Sequence, residues 1–267
     1  MSNIKKNISR SKLFVRGWIK KSLSDGKRPQ NIYHACIQKT GSQWVRAIFS
    51  DPEIIKKSGL EVHPQYRYEV GEFKQRFPLY TFIPGLYIPY PLYDEIKKPK
   101  RYKTLYVIRD PRSIVVSWYY SMKYTHIEMG KVSKHRKKLK SMSQKDGVKY
   151  CIKHLQWKFS FIRTWWENRS NPNVYIVKFE DLIENRVEGW GKIFKKLNIN
   201  IKEDKIKEIL DKYTKEKMRK RDLEGSERNI SHYRKDKKGW RDLFDKTHMR
   251  IFRQVNGNIL SDLGYKK

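Results

Sequence analysis

Two cysteines in 267 residues, Cys36 and Cys151, are too few for a disulfide framework and show no metal-ligand spacing, so both read as buried, reduced thiols. Acidic residues are scarce as well: 28 Asp and Glu stand against 61 Lys and Arg. No acidic cluster offers itself to a metal ion, and none is expected. No run approaches the ~20 apolar residues of a membrane span. The start, MSNIKKNISRSK, lacks the apolar stretch of a signal peptide, which makes a cytoplasmic protein the expectation.

A formal charge of +33 remains. Such a field speeds the arrival of anions and favours polyanionic partners such as glycan, nucleic acid or an acidic membrane. Lysines spread over solvated faces would give the same total without any partner. The hydrophobic share of 38%, with 17 Tyr and 8 Trp, suffices for a core. A chain of this length fits one α/β domain that buries about three quarters of its unfolded surface.

The organising stretch is IYHACIQKTGSQWVRAIF, from Ile32 to Phe49. An apolar strand, Ile32 to Ile37, runs into a tight turn at Gly41 and Ser42. Trp44, Val45, Ile48 and Phe49 then recur at helical spacing. A strand feeding a helix in this way leaves backbone N–H groups pointing outward with the positive end of the helix dipole behind them, a setting for phosphate or sulfate. Gly41 admits close approach, Ser42 adds a hydroxyl and Lys39 a mobile charge. The loop is not the Walker pattern, whose lysine comes at the end, and an ordinary strand-to-helix turn would look much the same.

The stretch YKTLYVIRDPRSIVVSWYYS, from Tyr102 to Ser121, repeats the layout. Asp110 is a plausible N-cap, Pro111 suits the first helical position, and Arg109 is the last strand residue, at the carboxyl edge where open α/β sheets bind ligands. Ser113, Ser117 and Ser121 share one helical stripe.

The pair KTGSQW and IRDPRSIVVSWYY resembles the donor-binding signatures of the sulfotransferases that use 3′-phosphoadenosine 5′-phosphosulfate (PAPS). VYIVKFEDLIEN, from Val174, is similar to that family's third strand and the acidic turn after it. HYRKDKKGWRDLF, from His232, is similar to its C-terminal arginine-lysine loop, with Asp236 where glycine is common. Four segments in order span Ile32 to Tyr265. The resemblance implies a single α/β domain over residues 30–267, with a mostly parallel central sheet flanked by helices in the P-loop-like PAPS-dependent sulfotransferase fold, and residues 1–29 as a basic extension. It implies sulfuryl transfer from PAPS to an acceptor hydroxyl or amine. Lys39 would offset charge on the leaving oxygen while Thr40, Gly41, Ser42 and Gln43 hold the 5′-phosphate. Trp44 and Phe179 would lie near the adenine. Arg109, Ser117, Arg234 and Lys235 would hold the 3′-phosphate.

For the base, cytosolic small-molecule members use a histidine ahead of the second signature, but that spacing reaches Tyr87. Carbohydrate-type members use a glutamate after the first signature, which falls on Glu61, the first choice here, with His63 second. The acceptor is then expected to be a glycan, an anionic one suiting the chain's charge, or another small metabolite; no specific nucleic acid is expected. Two other classes stay open: a P-loop-like nucleotide kinase, and a non-catalytic basic module that binds polyanions.

The remaining segments read as follows. Leu13, Phe14, Trp18, Ile19 and Leu23 among basic residues fit either a docked helix or one lying on a membrane surface. Ile54 to Pro99 reads as a long irregular stretch rich in proline and tyrosine, suited to the acceptor side. Ser133 to Lys145 reads as a mobile loop or exposed helix end. Gly147 to Asn168 reads as a helix with Trp157, Trp165 and Trp166 in the core. The last helix carries Ile251 to Leu260.

Overall fold

The computed structural model describes residues 12–13, 15–17, 29–64, 76–128, 131–225, 231, 233 and 239–266. Along the chain come β1 (Asn31–Cys36), α1 (Ser42–Phe49), α2 (Pro52–Ser58), β2 (Glu61–Val62), β3 (Thr81–Leu86), α3 (Tyr90–Asp94), β4 (Tyr102–Ile108) and α4 (Pro111–Tyr120). A π-helical turn, Ser121–Thr125, precedes α5 (Lys131–Lys140), α6 (Gln144–Glu167) and β5 (Val174–Lys178). After β5 come α7 (Phe179–Glu184), α8 (Arg186–Lys196), α9 (Glu203–Lys212), α10 (Lys215–Glu224), α11 (Lys246–Asn256) and α12 (Ile259–Asp262). The chain forms two compact units, one of Met1–Ile108 with Thr164–Tyr213, the other of Arg109–Arg163 with Thr214–Lys267.

The first unit holds a five-stranded sheet in the order β2-β3-β1-β4-β5, parallel at every pairing. β1 and β3 are buried along their whole length, as strands covered on both faces are. On one face Ile32, Phe82, Leu105, Val107 and Val177 meet α1, α2, α8 and α9. Phe49 lies flat on Phe82 at 4.0 Å, and Trp190, fully buried, stands edge-on to Trp44 at 5.3 Å. On the other face Tyr106 stacks on Trp165 at 4.5 Å.

The pairing of β1 with β3 contains a bulge. Tyr33 pairs with Ile83 but Ala35 with Leu86, so Pro84 and Gly85 together oppose His34. Pro84 has no N–H for the ladder and Gly85 takes φ 70°, so the extra residue sits where pairing is already interrupted.

In the second unit Asp110 caps α4, accepting from the Arg112 N–H at 2.8 Å, with Pro111 in the first turn. The Arg112 guanidinium ion-pairs with Asp110 at 2.8 Å, donates to the Lys266 carbonyl at 2.9 Å and lies 3.6 Å from the centre of the Trp240 ring. A capping box of Asp245 and His248 starts α11.

Several expectations are corrected. Within the stretch after Ile54 the described residues supply α2, β2, β3 and α3 in place of an irregular run; residues 65–75 lie outside the described residues. Val174 begins the fifth strand rather than the third. Residues 133–140 belong to a helix, α5, which buries Val132 and Leu139 two turns apart and leaves its lysines outside. Trp157 is 51% exposed, whereas Trp165 is fully buried. The last helix is broken at Gly257, where φ is 55°. Of the N-terminal apolar residues Leu13 is buried; Phe14, Trp18, Ile19 and Leu23 lie outside the described residues. Among the described residues no helix is long and apolar enough to cross a membrane.

Candidate functional site

The loop between β1 and α1 has the backbone of an anion cradle. Lys39 takes φ 74° and Gly41 φ 84°, both left-handed, on either side of Thr40. Alternating hand of this kind turns successive N–H groups toward one point. A lysine in that region is strained, the sort of outlier that persists where surrounding structure fixes it for a purpose. Gly41 is the N-cap of α1 and offers no side-chain oxygen to its first turn. The Trp44 and Val45 amides take the Gly41 carbonyl at 2.9 and 3.1 Å, so the amides ahead of them face out of the helix's amino end.

Gly41 is required on a second ground. A Cβ there would come within 2.4 Å of the Phe179 ring, which arrives from the first residue of α7, directly after β5. Trp44 stands edge-on to Phe179 at 6.1 Å. The loop is thus closed on one side by Phe179.

The two loop hydroxyls differ. Thr40 is fully buried and its hydroxyl donates to the Ile37 carbonyl at 2.8 Å, so it braces the loop. Ser42 shares a hydrogen bond of 2.8 Å with the Tyr87 phenol. Lys39 and Gln43 are half-buried. Burial pushes the Cys36 thiol, at the end of β1, up to about 12, which keeps it a neutral neighbour of the loop.

β4 lies beside β1 in parallel, Cys36 opposite Val107, so the two strands end at one sheet edge, and Arg109 is the residue after β4. In the second unit Arg109 and Ser117 are half-buried. Arg234 and Lys235 lie outside the described residues.

The structure does not bring Glu61 and His63 to this edge. Glu61 pairs with Thr81, which pairs with Asn31, so Glu61 stands at the amino end of the sheet. Five residues of strand, roughly 16 Å, separate that level from Cys36. Its carboxylate meets Arg16 at 3.2 Å. His63 donates its N–H to the Phe82 carbonyl and is 2% exposed, edge-on to Phe77. Spacing along the chain pointed to Glu61, and spacing says nothing of which end of a strand a residue occupies. Two residues that sequence reasoning left without a role hold key positions instead: Tyr87 against the loop and Arg112 in the second unit. The signal for Tyr87 was its place just after an apolar run that proline disguised. Among the described residues no group of three or more His, Cys, Asp or Glu comes together.

A family model for the sulfotransferase domain matches residues 30–264. Sulfotransferase 1 family member D1 of Mus musculus is 24% identical over 204 residues, 68% of this chain. The chain spans only 64% of the length of that relative. Among solved structures, mouse sulfotransferase SULT7A1 complexed with PAP superposes with a TM-score of 0.60 at 16% identity, over 89% of this chain and 86% of that one. Retinol dehydratase complexed with retinol and PAP gives 0.57 at 15% identity, over 90% and 84%.

Proposed function

The chain belongs to the sulfotransferase-domain family, and on that premise we propose that it transfers a sulfuryl group from PAPS to an acceptor hydroxyl or amine. The observation that carries the reading is the left-handed pair at Lys39 and Gly41 in front of an uncapped helix. The fold neighbours crystallised with PAP support the donor.

In this reading the amides of Thr40, Gly41, Ser42 and Gln43 hold the 5′-phosphate, Lys39 offsets the charge growing on the leaving oxygen, and Phe179 lines the nucleotide's side of the loop. Arg109, Ser117, Arg234 and Lys235 take the 3′-phosphate. As the acceptor oxygen or nitrogen forms its bond to sulfur, the bond from sulfur to the bridging phosphate oxygen breaks, adenosine 3′,5′-bisphosphate leaves with that oxygen, and the acceptor's proton passes to solvent water. Positioning and charge stabilisation carry the rate. Glu61 and His63 receive no part in that proton transfer, given their place in the sheet. The charge of +33 favours an anionic glycan as acceptor.

The test is transfer of labelled sulfuryl from PAPS to a panel of glycans, phenols and amines, with Lys39→Met beside the wild type. A fall in kcat of about 10²–10³, as when a transition-state charge contact is lost, is expected. Wild type inactive on every acceptor and unable to release adenosine 3′,5′-bisphosphate would refute the reading.

A further inference from the structure

We propose that Tyr87 is a positioning residue of the donor site, holding the Ser42 hydroxyl so that its proton points at the bound anion. The inference rests on the sulfotransferase reading above. Both side chains are buried, Tyr87 at 5% exposure and Ser42 at 7%, with their oxygens 2.8 Å apart. Either can be the donor in that pair. An anion in the loop removes the ambiguity, because phosphate oxygens only accept. Ser42 must then give its proton to the ligand, and its lone pair accepts the phenol's. The chain from phenol to serine to phosphate runs in one direction, each bond polarising the next.

The sheet explains why a residue so far along the chain arrives at the loop. Tyr87 leaves the carboxyl end of β3, next to β1, beyond the Pro84–Gly85 bulge. One extra residue in a strand reverses which face the following side chains take. The bulge therefore sets the side from which Tyr87 leaves the sheet.

The experiment is a double-mutant cycle, with Tyr87→Phe, Ser42→Ala and the double variant titrated with adenosine 3′,5′-bisphosphate and melted in parallel. Phenylalanine keeps the ring and removes only the hydroxyl, so the melting temperature should hold. Expected is a loss of affinity of about three- to tenfold in Tyr87→Phe, the size of one hydrogen bond, with no further loss when it is added to Ser42→Ala. In turnover the donor KM should rise more than kcat falls. Independent losses that multiply in the double variant, or a Tyr87→Phe protein with wild-type affinity, would overturn the proposal alone. A wild type that binds no nucleotide would overturn both this and the functional reading.

Discussion

His34 sits in the middle of β1, fully buried, its ring parallel to that of Phe82 and both ring nitrogens without a hydrogen-bond partner among the described residues. Burial pushes its pKa down to about 3. The folded chain therefore refuses a proton that the unfolded chain accepts below about pH 6.5, so stability falls as pH drops from there toward 3. The loss is at most about 1.4 kcal/mol per pH unit from this residue. His34→Leu should flatten that slope in denaturant titrations between pH 6.5 and 4. It should also raise stability at neutral pH by about 1–3 kcal/mol, since an unsatisfied buried polar group is removed. An unchanged acid slope would disprove the assignment. Nothing in the sequence marks His34 as buried beyond its place in an apolar run. The bulge opposite His34 is visible only in the register. The tight turn at Gly41 and Ser42 was legible, because glycine and a small hydroxyl between strand and helix leave few backbone options.

The strand-to-helix junctions at Cys36 and Ile108 were readable as elements because apolar runs, a cap and a helical period agree there. β3 was not, since Pro84 and Gly85 interrupt a strand that parallel neighbours on both sides nonetheless hold. α5 was left open between a loop and an exposed helix end because only Val132 and Leu139 among its ten residues are buried. α2 shows how tightly such a short element is tied down. Asp51 accepts from the Glu53 N–H at 3.0 Å and, with its other oxygen, from Lys212 and Tyr213, each at 3.2 Å. Asp51→Ala removes a cap worth about 1 kcal/mol and charged hydrogen bonds worth about 1.5–3. Equilibrium unfolding should show a loss of about 2–4 kcal/mol, with Asp51→Asn losing less. A change below 0.5 kcal/mol would mean that α2 is held by packing alone.

For the molecule as a whole, a mostly parallel sheet was implied by the resemblance, the strand order β2-β3-β1-β4-β5 had no signal in the sequence, and charge follows from composition alone. A net +33 should draw an anionic donor in faster at low salt, with association slowing as the Debye length shrinks from about 30 Å at 0.01 M to about 8 Å at 0.15 M. The account's centre is the loop after β1. Calorimetric titration of adenosine 3′,5′-bisphosphate into the wild type and into Gly41→Ala tests it most directly. The alanine methyl would meet Phe179 at 2.4 Å in a left-handed backbone, so the account predicts saturable binding at one site per chain in the wild type and its loss in the variant. A wild type that gives no saturable heat, or a Gly41→Ala protein that binds equally well, would contradict it.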